Sequence, residues 1–148
     1  MKKLLLVFLL FPLVSFGQSQ ILNGIEINAP LGFKKTDNLF WEKGDDMVLV
    51  KSVKELFSDS VIKQGISQET RGSKFIKFVE QEIDGVNYFI GLNRGLNGFL
   101  IAATGVRKNE HTYFITVGMN PEKYSSETIV LKNAMFNISY MINRILVY

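Results

Sequence analysis

The sequence predicts an α+β domain: an antiparallel β-sheet flanked by helices in an α/β/α sandwich, with a long C-terminal helix packed on the sheet. Three observations predict it. Phe75 to Ile83 and Val86 to Leu92 are β-rich runs joined by Asp84-Gly85, a dipeptide that accepts the left-handed backbone of a tight hairpin. Leu131, Ala134, Ile138, Met141, Ile142 and Ile145 recur at steps of three and four, the period of a helix with one apolar face. The other helical pattern in the chain is too short to cover that face, so the sheet must.

Taken in order, the alternation of Ile25 and Ile27 with Glu26 and Asn28 predicts a half-buried strand from Ile21, ended by Pro30-Leu31-Gly32 before Phe33 returns to the core. Leu39 to Glu42 and Met47 to Val53 flank Lys43-Gly44-Asp45-Asp46 and predict a hairpin with Trp41 on its first arm. Ser58 or Asp59 can cap a helix that places Val61, Ile62 and Ile66 on one face and ends at Arg71-Gly72. Beyond the Asp-Gly hairpin, Phe99 to Arg107 and Thr112 to Met119 flank Asn109-Glu110, so Phe75 to Met119 reads as a four-stranded meander. Asn120-Pro121-Glu122, and Ser125 or Ser126 before Glu127, are helix starts. In the final helix Lys132, Asn133, Asn137 and Arg144 are assigned to the faces away from the core.

At the N-terminus, Lys2-Lys3 precede an apolar run from Leu4 to Phe16, then the small residues Ser15 and Gly17. This predicts residues 1–17 as a signal peptide, cleaved before Gln18, and residues 18–148 as a single α+β domain. The run rises only about 20 Å as a helix, short of a bilayer core of about 30 Å, so stable membrane insertion after cleavage is not expected. With no Cys in the chain, a lipid-bearing residue, disulfides and thiolate zinc sites are excluded. The predicted location is the periplasm or the exterior of a bacterial cell. Once Lys2 and Lys3 leave, 15 of the 17 basic residues face 14 acidic ones, a balance that recruits no nucleic acid. The apolar share of 47%, with 12 Phe, is ample for one core without covalent staples.

The order of elements and the Pro-x-Gly-aromatic turn at Pro30, Gly32 and Phe33 resemble the PsbP/DcrB-like fold, an antiparallel sheet between helices. The resemblance implies a secreted or lumenal accessory or assembly factor. It supplies no functional residue, because no family site residue matches here, and a fold does not assign a function.

Several residues invite a chemical role. His111, the sole His, lacks the partnered nucleophile and orienting acid of a catalytic base, and the companions of a metal ligand. Asp45 and Asp46 could join Asp37 or Glu42 around Ca²⁺, but they fit ordinary turn chemistry better. Gly91, Gly95 and Gly98 with Asn93 and Asn97 lack the spacing of a phosphate cradle and read as a wide turn or bulge. The sequon Asn137-Ile138-Ser139 falls inside the final helix. The sequence therefore predicts no catalytic, cofactor-binding or metal residues, and an enzyme built on Asp, Glu, Ser or Tyr ranks last.

What remains is an excess of aromatic residues in strands. Adjacent rings such as Phe40-Trp41 must point to opposite sheet faces, so some lie away from the C-terminal helix. Phe40, Trp41, Tyr88 and Tyr113 are the predicted interaction surface. The first expectation is a non-enzymatic binding or assembly module with a protein partner. The second is a carrier of a small apolar ligand between sheet and helix.

Overall fold

Turn chemistry builds most of the sheet. The computed structural model describes residues 19–68 and 72–147; the predicted signal peptide, its cleavage site and Arg71 lie outside them. Asn23 and Gly24, with φ of 52° and 79°, join β1 (Ser19–Leu22) to β2 (Ile25–Asn28). This hairpin replaces the single strand expected there. Ile25 and Ile27 face the core, while Ile21 is exposed.

The main sheet has seven strands: β3 (Lys34–Asp37), β4 (Phe40–Lys43), β5 (Asp46–Val53), β6 (Lys74–Ile83), β7 (Val86–Arg94), β8 (Leu100–Lys108) and β9 (His111–Met119). Their spatial order is β3-β4-β5-β9-β8-β7-β6, with every neighbouring pair antiparallel. The predicted meander is thus present as β6 to β9, and the predicted hairpin as β4 and β5. Strand β3 was not expected; each of its residues is exposed, so no apolar alternation announces it. The two halves meet where β5 pairs with β9 from Met47↔Gly118 to Val53↔Thr112.

Helix α1 (Asp59–Ser67) begins at Ser58, whose Oγ accepts from Val61 N at 3.3 Å, the capping role read from the sequence. It ends before the predicted Arg71-Gly72. After a 3₁₀ turn (Pro121–Lys123) capped by Asn120, Ser126 Oγ accepts from Ile129 N and opens helix α2 (Glu127–Val147). Both predicted start signals are used, one for each turn of helix.

The strands' alternating side chains place α2 on one face, called the front, and α1 on the other. On the front, Trp41, Val48, Ile115, Val117, Ala102 and Ile90 are buried under Ala134, Ile138, Met141, Ile142 and Ile145. Lys108 Nζ donates to the carbonyls of Ile145 and Leu146 at 2.8 and 3.1 Å, a cation on otherwise unpaired groups at a helix C-terminus. Asn137 departs from expectation: it is 7% exposed, and its amide donates to Met119 Sδ at 3.8 Å. On the back face α1 lies over Gly91 of β7 and Gly105 of β8, where added Cβ atoms would collide with Ile66 and Ile62. Missing side chains on the sheet thus create the seat for the helix. Ile62 is buried in it, but Val61, expected on the same face, is 48% exposed.

Candidate functional site

Register decides which of the predicted aromatic residues can meet a partner. Trp41 pairs with Val48, which pairs with Val117, a row that runs beneath α2. Trp41 is 0% exposed and Tyr113 1%, and Tyr113 Oη accepts from Asn23 Nδ2 at 3.3 Å. Both are core residues and are removed from the predicted surface. Tyr88 lies half-buried at the margin of the same core; burial, followed by the charge of Asp84, raises its phenol above the ordinary value. Phe40 alone of the four lies on the back face, as its pairing with Leu49 requires.

The back face is unevenly covered. α1 lies over β7 and β8 with Lys63 reaching Phe78 of β6, and Phe57 covers Phe114 of β9, their ring centroids 6.1 Å apart. Beside them two cross-strand rows are left open: Glu42, Met47, Gly118 and Ile101; and Phe40, Leu49, Thr116 and Ala103. Small residues occupy the middle, and the larger Phe40, Met47, Leu49 and Ile101, all half-buried, form the sides. The result is a shallow, largely apolar trough that includes a depression of about 320 Å³ lined by Phe40, Met47, Phe99, Ile101 and Gly118, with Glu42, Gly44 and Asp45 at the β4–β5 turn. Gly118 matters because Met47 lies across it; a Cβ there would stand 2.9 Å from Met47 Cγ. Methionine is the most adaptable apolar side chain, so the floor can reshape under a partner.

A second depression of about 330 Å³ opens between the front face and the first turns of α2. Ile76, Leu92, Leu100, Val130 and Leu131 line it, and the pair Arg94–Glu127, 3.0 Å apart, lies at its mouth.

The polar residues singled out in the sequence serve the fold. Asp46 is 4% exposed; its carboxylate accepts from Asn120 N at 2.9 Å and from Tyr124 Oη at 2.6 Å. Asp45 accepts from Asn120 Nδ2 at 3.0 Å and lies 3.6 Å from Lys123 Nζ. Together they tie the β4–β5 turn to the segment leading into α2. Burial, with the hydrogen bond to Asp46 next, pushes Tyr124 up to about 12. Gly95 and Gly98 close a loop through Gly95 N to Phe99 O and Gly98 N to Gly95 O, the turn expected of them. His111 is the first residue of β9, beside Tyr113. Among the described residues no three His, Asp or Glu side chains are gathered as metal ligands require, and no helix is long and apolar enough to cross a membrane.

No family model and no curated protein matches the chain. Its structure is similar to the solution structure of cyanobacterial PsbP (CyanoP) from Synechocystis sp. PCC 6803. The two share 14% identity over 81% of this chain and 89% of that one, with a TM-score of 0.47. The trough therefore stands on its own geometry.

Proposed function

We propose that this protein is an exported binding or assembly module, at work in the periplasm or outside the cell, that holds a protein partner on the open half of its back face. The observation that carries this reading is the trough: apolar side chains of β4, β5 and β8 around the small residues of β9, left uncovered beside a helix that lies over the other half. Contiguous apolar surface of this kind costs solvation until a partner covers it, and its shallow form suits a protein side rather than an enclosed small molecule. Adaptable Met47 at its centre favours the same use.

The test is a pair of charge insertions. Leu49→Lys and Ile101→Lys stay half-exposed and should leave the melting midpoint nearly unchanged, yet abolish co-purification of the partner from the native envelope. Phe136→Lys, on the 65% exposed outer side of α2, serves as control and should keep the partner. Retention by the trough variants with loss in the control would move the interface to α2.

The depression under α2 favours a second reading, a carrier of a small apolar ligand. Native mass spectrometry of protein from its own envelope should then show a bound mass that Leu131→Asp removes; a ligand-free spectrum argues for the partner module alone.

A further inference from the structure

The open half of the back face repeats the conditions under which the covered half seats a helix. α1 is received where the sheet lacks side chains: Ile62 lies over Gly105 of β8 and Ile66 over Gly91 of β7. In the trough the middle of the sheet is again small, with Thr116 and Gly118 on β9 and Ala103 on β8, between Leu49 and Met47 on one side and Ile101 on the other. Neighbouring strands are about 4.8 Å apart, so the trough's midline, between β5 and β9, lies two strands, or about 10 Å, from the axis of α1 over β7 and β8. That is the distance at which helices pack side by side. Along the strands, Met47 to Lys51 spans about 13 Å, the length of a helix of 9 residues such as α1.

The flank of α1 that borders the trough is also left bare. Successive helix residues turn by about 100°. With Ile62 and Ile66 on the sheet, and Lys63 turned toward β6 and β7 over the rings of Phe78 and Phe89, Val61 and Gly65 come to the opposite flank, the one toward β9. Val61 is 48% exposed, and nothing lies within 4 Å of the place a Cβ on Gly65 would take. A residue with no side chain costs α1 helix propensity, and here it leaves room for a second helix to come close. Charges mark the two ends of the seat. Glu42 shares the row of Met47 and Gly118, and Lys51 that of Phe114; neither takes part in an ion pair among the described residues.

We propose that the partner held in the trough docks through an amphipathic helix of about two to three turns, laid beside α1 and antiparallel to it, with a basic residue in its first turn and an acidic one in its last. This rests on the trough as the docking face and adds what fills it. An apolar stripe at helical spacing covers Met47, Leu49 and Ile101, and its margin meets Val61 across Gly65. α1 runs from the row of Gly105 toward that of Gly91 and Ala103, so an antiparallel neighbour begins at the Glu42 end and finishes at the Lys51 end. There the anion faces the positive N-terminus of the helix dipole and the cation its negative C-terminus. An extended strand fits less well, because the trough is the face of a sheet and offers no free main-chain edge to pair with.

The probe is a capped peptide of about 14 residues built from Leu, Ala and Gln, stapled on its outer face because so short a helix is marginal by itself, with Lys in its first turn and Glu in its last. Its companions are the charge-reversed stapled peptide and an unstapled copy with a central Pro. In ¹⁵N-labelled protein the amide shifts should gather at Leu49, Ala103, Thr116 and Gly118 and also at Val61 and Gly65. The reversed peptide should bind about tenfold more weakly and the Pro peptide not at all. Glu42→Lys combined with Lys51→Glu should invert the preference between the two charged peptides. Gly65→Gln sets a helix-forming side chain between the two helices and should weaken the stapled peptide about tenfold with no fall in melting midpoint; Val61→Glu makes the same test if that variant melts early. The helix is overturned by shifts that spare Val61 and Gly65 or are absent at millimolar peptide, by equal binding of the Pro peptide, or by unchanged binding to both flank variants. With the native partner, loss on Leu49→Lys and on Gly65→Gln is the expected result. Loss on Leu49→Lys alone overturns the helix and leaves the trough standing, whereas retention on both overturns the trough itself.

Discussion

Asn137 shows how a side chain's type can mislead where its position does not. It lies three residues after Ala134 and four before Met141, the spacing of the buried stripe itself, and its polarity alone argued for the wet face. The structure buries it against Met119. Asn137→Asp should therefore cost about 2–3 kcal/mol in denaturant melts, approaching the 3 kcal/mol or more expected of Ile138→Asp, because both introduce a charge into the same packed layer. Trp41→Ala should cost about 3–5 kcal/mol by emptying a fully buried site, and binding lost without lost stability would contradict its place in the core. Tyr124 carries the pH dependence. Its folded value near 12 lies above the unfolded value near 10, so its neutral form is favoured in the fold; that stability is complete below pH 10 and is lost as pH rises toward 12. In alkaline melts Tyr124→Phe should lose less stability over that window than the parent. At neutral pH it should be less stable by about 1–2 kcal/mol, since Asp46 loses a donor in a buried place.

Elements were legible in proportion to how much of their own burial they encode. The meander and α2 carry strong alternation or helical period and long apolar stripes, and their bounds fall within a residue or two of expectation. β3 encodes none; it exists because β4 offers it an edge to pair with through a bulge between Lys35 and Asp37, a partnership invisible in Lys34–Asp37 itself. Hairpin β1–β2 was readable from Asn23-Gly24 but was masked by the stronger alternation that follows. The seat of α1 was not legible at all, because a glycine in a strand does not say what approaches it. The two kinds of glycine in and under this helix separate cleanly. Gly105→Ala sets a Cβ 2.7 Å from Ile62 Cγ2 and should destabilise by about 1–3 kcal/mol. Gly65 has open space around it and sits inside the helix, so Gly65→Ala should stabilise by about 0.5–1 kcal/mol. Thermal melts of the pair would show whether α1 is held by its seat or by its own propensity.

Across the whole molecule the two faces of the sheet are treated differently: α2 and hairpin β1–β2 close the front, while the back is closed over one half. The sequence showed that strand aromatics exceed what one helix can cover, which is half of the candidate site. The other half, that Phe40, Met47 and Ile101 lie on neighbouring strands, depends on β5 lying beside β9, and nothing local records that juxtaposition. The same seam has a consequence for how the chain can be divided. Every other pairing in the main sheet joins strands adjacent in sequence, so the chain up to α1 and the chain from β6 onward each hold a locally closed set of hairpins, and the β5–β9 ladder is the one strand pairing of that sheet that crosses between them, supported by α1 on its glycine seat, the α2 contacts with β2 and the bonds of Asp45 and Asp46 to the segment before α2. Two polypeptides broken between Ser67 and Lys74 should therefore find each other and rebuild the native near-ultraviolet spectrum on mixing, with Ser52→Pro, which strikes the seam ladder, preventing reassembly; halves that stay apart would mean that the covalent link itself, and not the seam, holds the sheet together.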